Sequence, residues 1–500
     1  MLQRIRTHLQ KQFSLDTRAL SWMRICLGLV LMADWIIRLN SLTAHYTNAG
    51  VLPQDILFNY QWKEGYYSLF VFSDSLGWQY FLFFMAILFS FFFTIGYFTR
   101  FSNLIVWILI CSVHARNPFI LQGGDELLRL TLFWALFLPL DRKYSVDALH
   151  KKENAGDTGV FSMAGFGFMF LVFGVYFFSA LQKTSSEWHS QGTAIYYALS
   201  LDQMVLPLGK VLLNQPGLCK VLTHVVFYTE LLAPILFFIP WKNQFFRTAA
   251  IILLIVMHFG ISFTLFVGLF FLIGISTLVG MLPASFIDWK LSKLPAFLKK
   301  IRPDLFFARY LPAFNTIRNV YAGIIRKISN FYSITILSFS LLFVICVCII
   351  WNLGNIPGTG LTVTGPFRTM AFFLRLEENW GMFSPGVFKD DGWFVLEGTE
   401  YVTNNKVDLY RNKTSVSYEK PENVLSEIED DRWRKFGENY IMVSYSYMRP
   451  AWCNYMLKKW NSEHSKNRIR SLQVIYMKET TLPNYQKPKV TKEVLCTCNE

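Results

Sequence analysis

The stretch VFSMAGFGFMFLVFGVYFFSAL, residues 160–181, carries no charge, and Gln182-Lys183 follows it directly. A membrane helix needs about 20 apolar residues in a row, and this run supplies them. A lysine at the edge of such a span is costly and therefore a functional candidate. It can also be a plain span marker, with its stem in lipid and its ammonium in the headgroups. On a helix, Tyr176, Ser179 and Lys183 stand at i, i+3 and i+7, so a phenol, a hydroxyl and an amine share one face.

The rest of the chain agrees with a membrane setting. Of 500 residues, 53% are hydrophobic, 17% are aromatic and 16% are charged, against about 25% charged in an average soluble protein. A net charge of +14 would suggest nucleic acid for a soluble chain. In a membrane protein it reflects Lys and Arg on inner loops, so no nucleic-acid partner is expected and the partner is the lipid bilayer. The basic N-terminus lacks the short apolar core and small-residue site of a cleavable leader.

Further apolar runs bring the expected count to about nine spans, at roughly 19–38, 78–98, 101–121, 127–141, 160–181, 221–240, 247–263, 264–283 and 333–353. In the region 247–283, Gly260 or Gly268 could make the turn. Positive charge alternates between loops under this count. Arg4, Arg6, Lys11 and Arg18, then Arg100, then Arg142 and Lys143, then Lys242 and Arg247, fall on one side. The N-terminus is therefore expected inside, and Lys183 and residues 354–500 outside, in a bacterial cytoplasmic membrane. The fold class is an all-α polytopic membrane domain followed by a small α+β soluble domain. Its expected parts are a membrane domain over 1–283, a basic amphipathic cytoplasmic loop over 284–332, a final span over 333–353, and an outer domain over 354–500. The loop's apolar side is Phe297, Leu305, Phe306, Phe307 and Tyr310, suited to an anionic leaflet.

In the tail, Trp393–Leu396 and Val407–Tyr410 read as hairpin strands and Ser471–Met477 as another strand. Residues 421–434 and 452–460 read as helices. Cys26, Cys111, Cys346 and Cys348 lie in apolar runs as packing residues. Cys219 is expected in a loop. Cys496-Thr497-Cys498 is too closely spaced for an ordinary zinc site, so no metal is expected there.

Several charges fall inside expected spans. Asp34 with Arg38, and Asp125 with Arg129, stand at i and i+4 and could neutralise each other. Glu230 and His258 come out at similar depth on neighbouring spans and could meet as a proton path or a plain helix-to-helix hydrogen bond. His224 and Tyr228 could continue a polar line toward Lys183.

Taken in order, these residues resemble the vitamin K-dependent gamma-glutamyl carboxylase family and its relatives, the horizontally transferred transmembrane domain proteins. The segments that carry it are Asn48–Pro53, Arg116-Asn117-Pro118 with Gly123–Arg129, Tyr144–Asp147, Gln182-Lys183-Thr184 through Trp188 and Gly192, Met257-His258-Phe259, and Glu378–Pro385. The Lys183 segment looks like the family's Lys-Lys-x-x-x-x-Trp segment. The resemblance implies that Lys183 is the base toward a reduced naphthoquinone of vitamin K or menaquinol type, with O2 and CO2 as co-substrates and a glutamate of an exported protein or peptide as acceptor. The site expected around Lys183 takes Tyr176, Asp125, Glu230 and His258 as catalytic support, and Arg129, Trp188, His224 and Tyr228 around the cofactor. Desolvation favours the neutral amine that a base requires. The carboxylases carry a histidine near the start of the fourth span, whereas this chain has Gly124-Asp125. A non-catalytic scaffold or transporter of the same family is the alternative.

Overall fold

In the computed structural model, which describes residues 10, 12–150, 159–293, 334–483, 486 and 489–500, Asp16 sets the first long helix. Its carboxylate accepts the Arg18 amide at 2.8 Å, satisfying one of the open N–H groups of the first turn. Leu15–Asp16 (β1) pairs antiparallel with Gly159–Val160 (β2), tying the start of this helix to the start of the Tyr176 helix. The principal helices of the membrane part are α1 Thr17–Asn40, α2 Leu76–Ile95, α3 Thr99–Arg116, α4 Gly123–Ala135, α5 Met163–Gln182, α6 Pro216–Leu232, α7 Asn243–Thr264, α8 Phe270–Val279, α9 Ala284–Lys293 and α10 Ile334–Gly354.

Among the described residues, six helical stretches are long and apolar enough to cross a membrane: α1, α2, α5, α6 with its 3-10 extension to Phe238, α7 and α10. α8 and α9 form a pair bent by 98°, which makes a seventh if counted as one span. The chain is thus an integral membrane protein. The third, fourth and eighth expected spans are helices of 18, 13 and 10 residues. α3 carries Arg100, Asn103, His114 and Arg116, and α4 unwinds after Ala135 although apolar residues continue to Leu140. Leu29, Ile36, Phe84, Val225, Phe263 and Phe339 are exposed on the helices, a surface that suits lipid and would be a liability in water.

Arg24 closes one end of the bundle. Its guanidinium donates to the carbonyls of Phe93 at 2.8 Å and Thr94 at 2.5 Å, and to that of Tyr144. Phe93 and Thr94 lie in the last turn of α2, and Tyr144 lies in the loop after α4. Gly96 makes this possible: it has φ +73°, and a Cβ there would lie 2.7 Å from Arg24 Nη1. The turn between α7 and α8 uses Gly268 at φ +57°, while Gly260 lies inside α7.

The tail holds an antiparallel sheet in the order β4-β3-β5-β6, made of Asp390–Glu400 (β3), Lys406–Asp408 (β4), Ile469–Thr480 (β5) and Lys489–Asn499 (β6). Two helices accompany it, Asp431–Ile441 (α11) and Arg449–Glu463 (α12). A Cys453–Cys498 disulfide joins α12 to β6. Two local expectations change. The helix expected over 421–434 begins at Asp431, because the Asp430 carboxylate takes the amides of Arg432 and Trp433 and caps it there; before it, only Leu425–Glu427 forms a helical turn. Cys219, expected in a loop, is buried in α6, which Pro216 starts early in its first turn. Nearly all of the basic loop 284–332 lies outside the described residues, from residue 294 onward.

Candidate active site

Lys183 caps the C-terminal end of α5 and is buried, with 2% of its surface exposed. Its Nζ donates to Glu230 Oε2 at 2.5 Å and to Ser179 Oγ at 2.7 Å, and Ser179 Oγ reaches the same carboxylate oxygen at 3.4 Å. The ammonium also lies 5.0 Å from the centre of the Trp188 ring. A deeper pair follows about two turns back from Lys183 on α5, where the Tyr176 hydroxyl meets His258 Nε2 at 2.8 Å. Tyr176, Ser179 and Lys183 do present one face to their neighbours. The expected Glu230–His258 pair is not what forms: Glu230 is taken by Lys183 and His258 by Tyr176, both partners lying on α5.

Two features place His258. The backbone of α8 comes so close at Gly274 that a Cβ there would lie 2.4 Å from His258 Cε1, and the Phe270 ring is centred 5.3 Å from the imidazole. Glu230 sits on the buried stripe of α6 with Cys219, Thr223 and Phe227, at helical spacing. Tyr228 lies on the opposite face, 54% exposed, and His224 is only partly buried. Together with Val221, Val225, Leu232 and Leu236 they line a groove of about 550 Å³ on the outside of α6. The expected polar line through Tyr228 to Lys183 is therefore absent, since the two faces of α6 point apart and Lys183 reaches Glu230 directly.

The tail roofs the lysine. Trp188 Nε1 donates to the Phe383 carbonyl at 2.9 Å, and the Ser185 amide to the Pro385 carbonyl at 3.0 Å. Glu187 accepts the Val387 amide at 3.0 Å and pairs with Lys389 at 2.8 Å. Beneath this roof, Gln182 Nε2, Ser185 Oγ and His258 Nδ1 are buried without a hydrogen-bond partner among the described residues. Buried polar atoms are ordinarily satisfied, so each of these three has hydrogen-bonding capacity to spare.

Asp125 belongs to a second cluster. Arg38 bonds Asp34 at 2.8 Å and Asp125 at 2.6 Å; Arg432 of α11 bonds Asp125 at 2.5 Å and Asp34 at 2.6 Å. The four side chains close a ring of alternating charge, each with no more than 6% of its side chain exposed. His114 Nε2 flanks it, 3.4 Å from Asp125, and the Tyr46 hydroxyl accepts from Arg38 at 3.1 Å. The Asp34–Arg38 pair forms as expected. The Asp125–Arg129 pair does not, because Arg129 turns to the tail and donates to the carbonyls of Arg375 at 3.0 Å and Glu377 at 2.8 Å. Phe270 stands between the clusters: it touches His258, and its Cα lies 3.1 Å from where a Cβ on Gly124 would be.

A comparison with protein families matches the HTTM domain to residues 13–286, more than half of the chain. The chain belongs to the HTTM domain family. This domain is found in vitamin K-dependent gamma-glutamyl carboxylase and related proteins. No curated protein and no solved structure matches the chain. The HTTM region contributes Tyr176, Ser179, Lys183, Glu230 and His258, together with Asp34, Arg38, His114 and Asp125. Arg432, Phe383, Val387 and Lys389 come from beyond it. Sequence analysis did not single out Arg432 or Glu187. The one available signal was Asp430, a capping residue that places Arg432 in the first turn of a helix.

Proposed function

We propose that this HTTM protein is a quinol-dependent membrane enzyme that carboxylates glutamate side chains of exported proteins, with Lys183 as the base. The observation that carries this reading is the buried Lys183–Ser179–Glu230 group beneath the tail. A buried ammonium and carboxylate can exist as that ion pair or as an amine beside a carboxylic acid, and both arrangements are neutral overall. In the second form Nζ is free to take a proton from an acidic hydroxyl, while Glu230 holds the shared one and Ser179 keeps the amine oriented. Trp188 covers the amine, and the roof keeps water away from it.

The residues present fit a naphthoquinone. Gln182 Nε2 and His258 Nδ1 are unpartnered buried nitrogens suited to ring oxygens, and Trp188 and Phe270 offer flat walls. His224 and Tyr228 border an apolar groove on the far face of α6, which an isoprenoid chain would reach by passing around that helix. When bound, a reduced naphthoquinone of vitamin K or menaquinol type supplies, with O2, the strong base that glutamate carboxylation by CO2 requires. Asp125 and Arg129 serve this reading as anchors of the tail.

The same reading takes the chain through the membrane nine times, with the N-terminus inside and the tail outside. Support comes from contacts at the two ends of the bundle. Residues 12–24, 93–99, 141–149, 159–162 and 281–288 meet at one end, as Arg18 with Asp288 and Thr99 with Asp147 show. The tail meets residues 38–46, 119–125, 183–188 and 264–268 at the other.

The closed ring of Asp34, Arg38, Asp125 and Arg432 favours a second reading, a non-catalytic scaffold or transporter whose charges only hold helices. The deciding measurement is made on purified protein in lipid, with reduced menaquinone, labelled bicarbonate and glutamate-containing peptides. Quinol oxidation coupled to label fixation is expected. Neither activity at any quinol supplied would favour the scaffold.

A further inference from the structure

At the end of the bundle away from Lys183, the turn from α6 into α7 and the first turns of α9 enclose an open groove of about 910 Å³. Trp241, Lys242, Phe245, Phe246, Phe286 and Trp289 supply most of its walls. Trp241 and Phe245 are 65% and 67% exposed, and Trp289 is 47% exposed. Lys242 Nζ lies 4.7 Å from the Trp241 ring centre, and Lys290 Nζ lies 4.7 Å from that of Trp289. Among the described residues, neither lysine is within ion-pair distance of a carboxylate. The nearest acid along the chain, Asp288, is held by Arg18 at 2.6 Å.

We propose that this groove binds one anionic phospholipid, independently of the chemistry assigned to Lys183. Three observations carry it. The 98° bend between α8 and α9 turns α9 away from the axis of α8; in the orientation proposed above, that direction follows the plane where headgroups meet acyl chains. Exposed Trp beside Lys is the composition favoured at that boundary. The two ammonium groups, without an acidic partner among the described residues, call for an anion, and the exposed Trp241 and Phe245 rings call for an apolar body on them. A zwitterionic lipid would leave the lysines uncompensated, and free phosphate would leave the aromatic walls in water.

Native mass spectrometry of the full-length protein in detergent tests this, with phosphatidylglycerol, phosphatidylcholine of the same chains, or inorganic phosphate added. Retention of phosphatidylglycerol about tenfold above phosphatidylcholine is expected. Each of Lys242→Gln and Lys290→Gln should weaken it about fivefold, from the usual strength of one lysine at an anionic surface. Lys242→Arg, which keeps the charge, should retain the lipid, and Trp241→Ala should release both lipids. Equal retention of the two lipids, phosphatidylglycerol binding unchanged in the Gln variants, or displacement of the lipid by inorganic phosphate would each overturn the proposal.

Discussion

Arg432 Nη1 lies 2.5 Å from Asp125 Oδ2, a contact between side chains 307 residues apart that brings the tail into the interior of the membrane helices. Without Arg432 the interior would hold two carboxylates against the single guanidinium of Arg38. Arg432→Gln should therefore destabilise the protein by about 3–5 kcal/mol, the usual cost of leaving a buried charge unmatched. Arg432→Gln with Asp125→Asn restores neutrality and should recover much of the loss. Thermal melting in detergent measures both; a double variant no more stable than Arg432→Gln would show that charge balance is not what the ring provides.

Lys183→Arg keeps a positive charge opposite Glu230 but gives up no proton at neutral pH. If Lys183 is the base, this variant should fold normally and lose at least about 100-fold in quinol oxidation. Lys183→Gln, which keeps length without an amine, should lose the activity as well, and it should also melt lower because Glu230 loses its cation. An arginine variant turning over near the parent rate would remove Lys183 from the base role.

Gly274 leaves no room for a side chain against His258. Gly274→Ala should cost about 1–3 kcal/mol through overpacking, and should displace the imidazole from Tyr176. Gly260→Ala is the control, because a Cβ there meets nothing within 4 Å. Melting temperatures of the two variants should differ clearly, with only Gly274→Ala lowered.

Asp391 gives a pH dependence in the tail. Burial, and then the neighbouring Asp202 carboxylate, push the Asp391 carboxyl up to about 7. The unfolded value is about 3.9. A folded value above the unfolded one means that the contribution is fully present below about pH 4 and is lost as pH rises through about 7. Asp391→Asn mimics the protonated form. Its stability relative to the parent should rise from pH 4 to pH 7, on the order of 1 kcal/mol per unit, and then level off. A difference flat across that window would contradict this.

The proposed orientation predicts which positions an impermeant thiol reagent reaches in intact cells. Cysteines introduced at Ser190 and Thr414 should label, and one at Ser285 should not. Labelling at Ser285 from outside would remove the nine-pass path.

The sequence made α5 legible because its apolar run coincides with the helix, and the shared face of Tyr176, Ser179 and Lys183 followed from helical spacing alone. Glu230 stood out as a charge in a span, yet its partner did not, because partner choice depends on which helices abut. α4 and α8 were read too long, since an apolar run records burial and continues where the backbone has already left the helix. Arg432 was invisible for another reason. It meets Asp34 across 398 residues, and the Asp430 cap that places it in a first helical turn does not tell what that turn faces.

The bond between Cys453 and Cys498 carries information about where the tail matures. Such bonds persist in oxidising compartments and are rare where cellular reductants keep thiols free. A tail that closes β6 onto α12 in this way suits the oxidising side of a membrane. That gives the outward orientation an argument from electron chemistry, independent of where the lysines and arginines fall. On the orientation proposed above, closing β6 onto α12 requires an oxidant to reach the emerging tail.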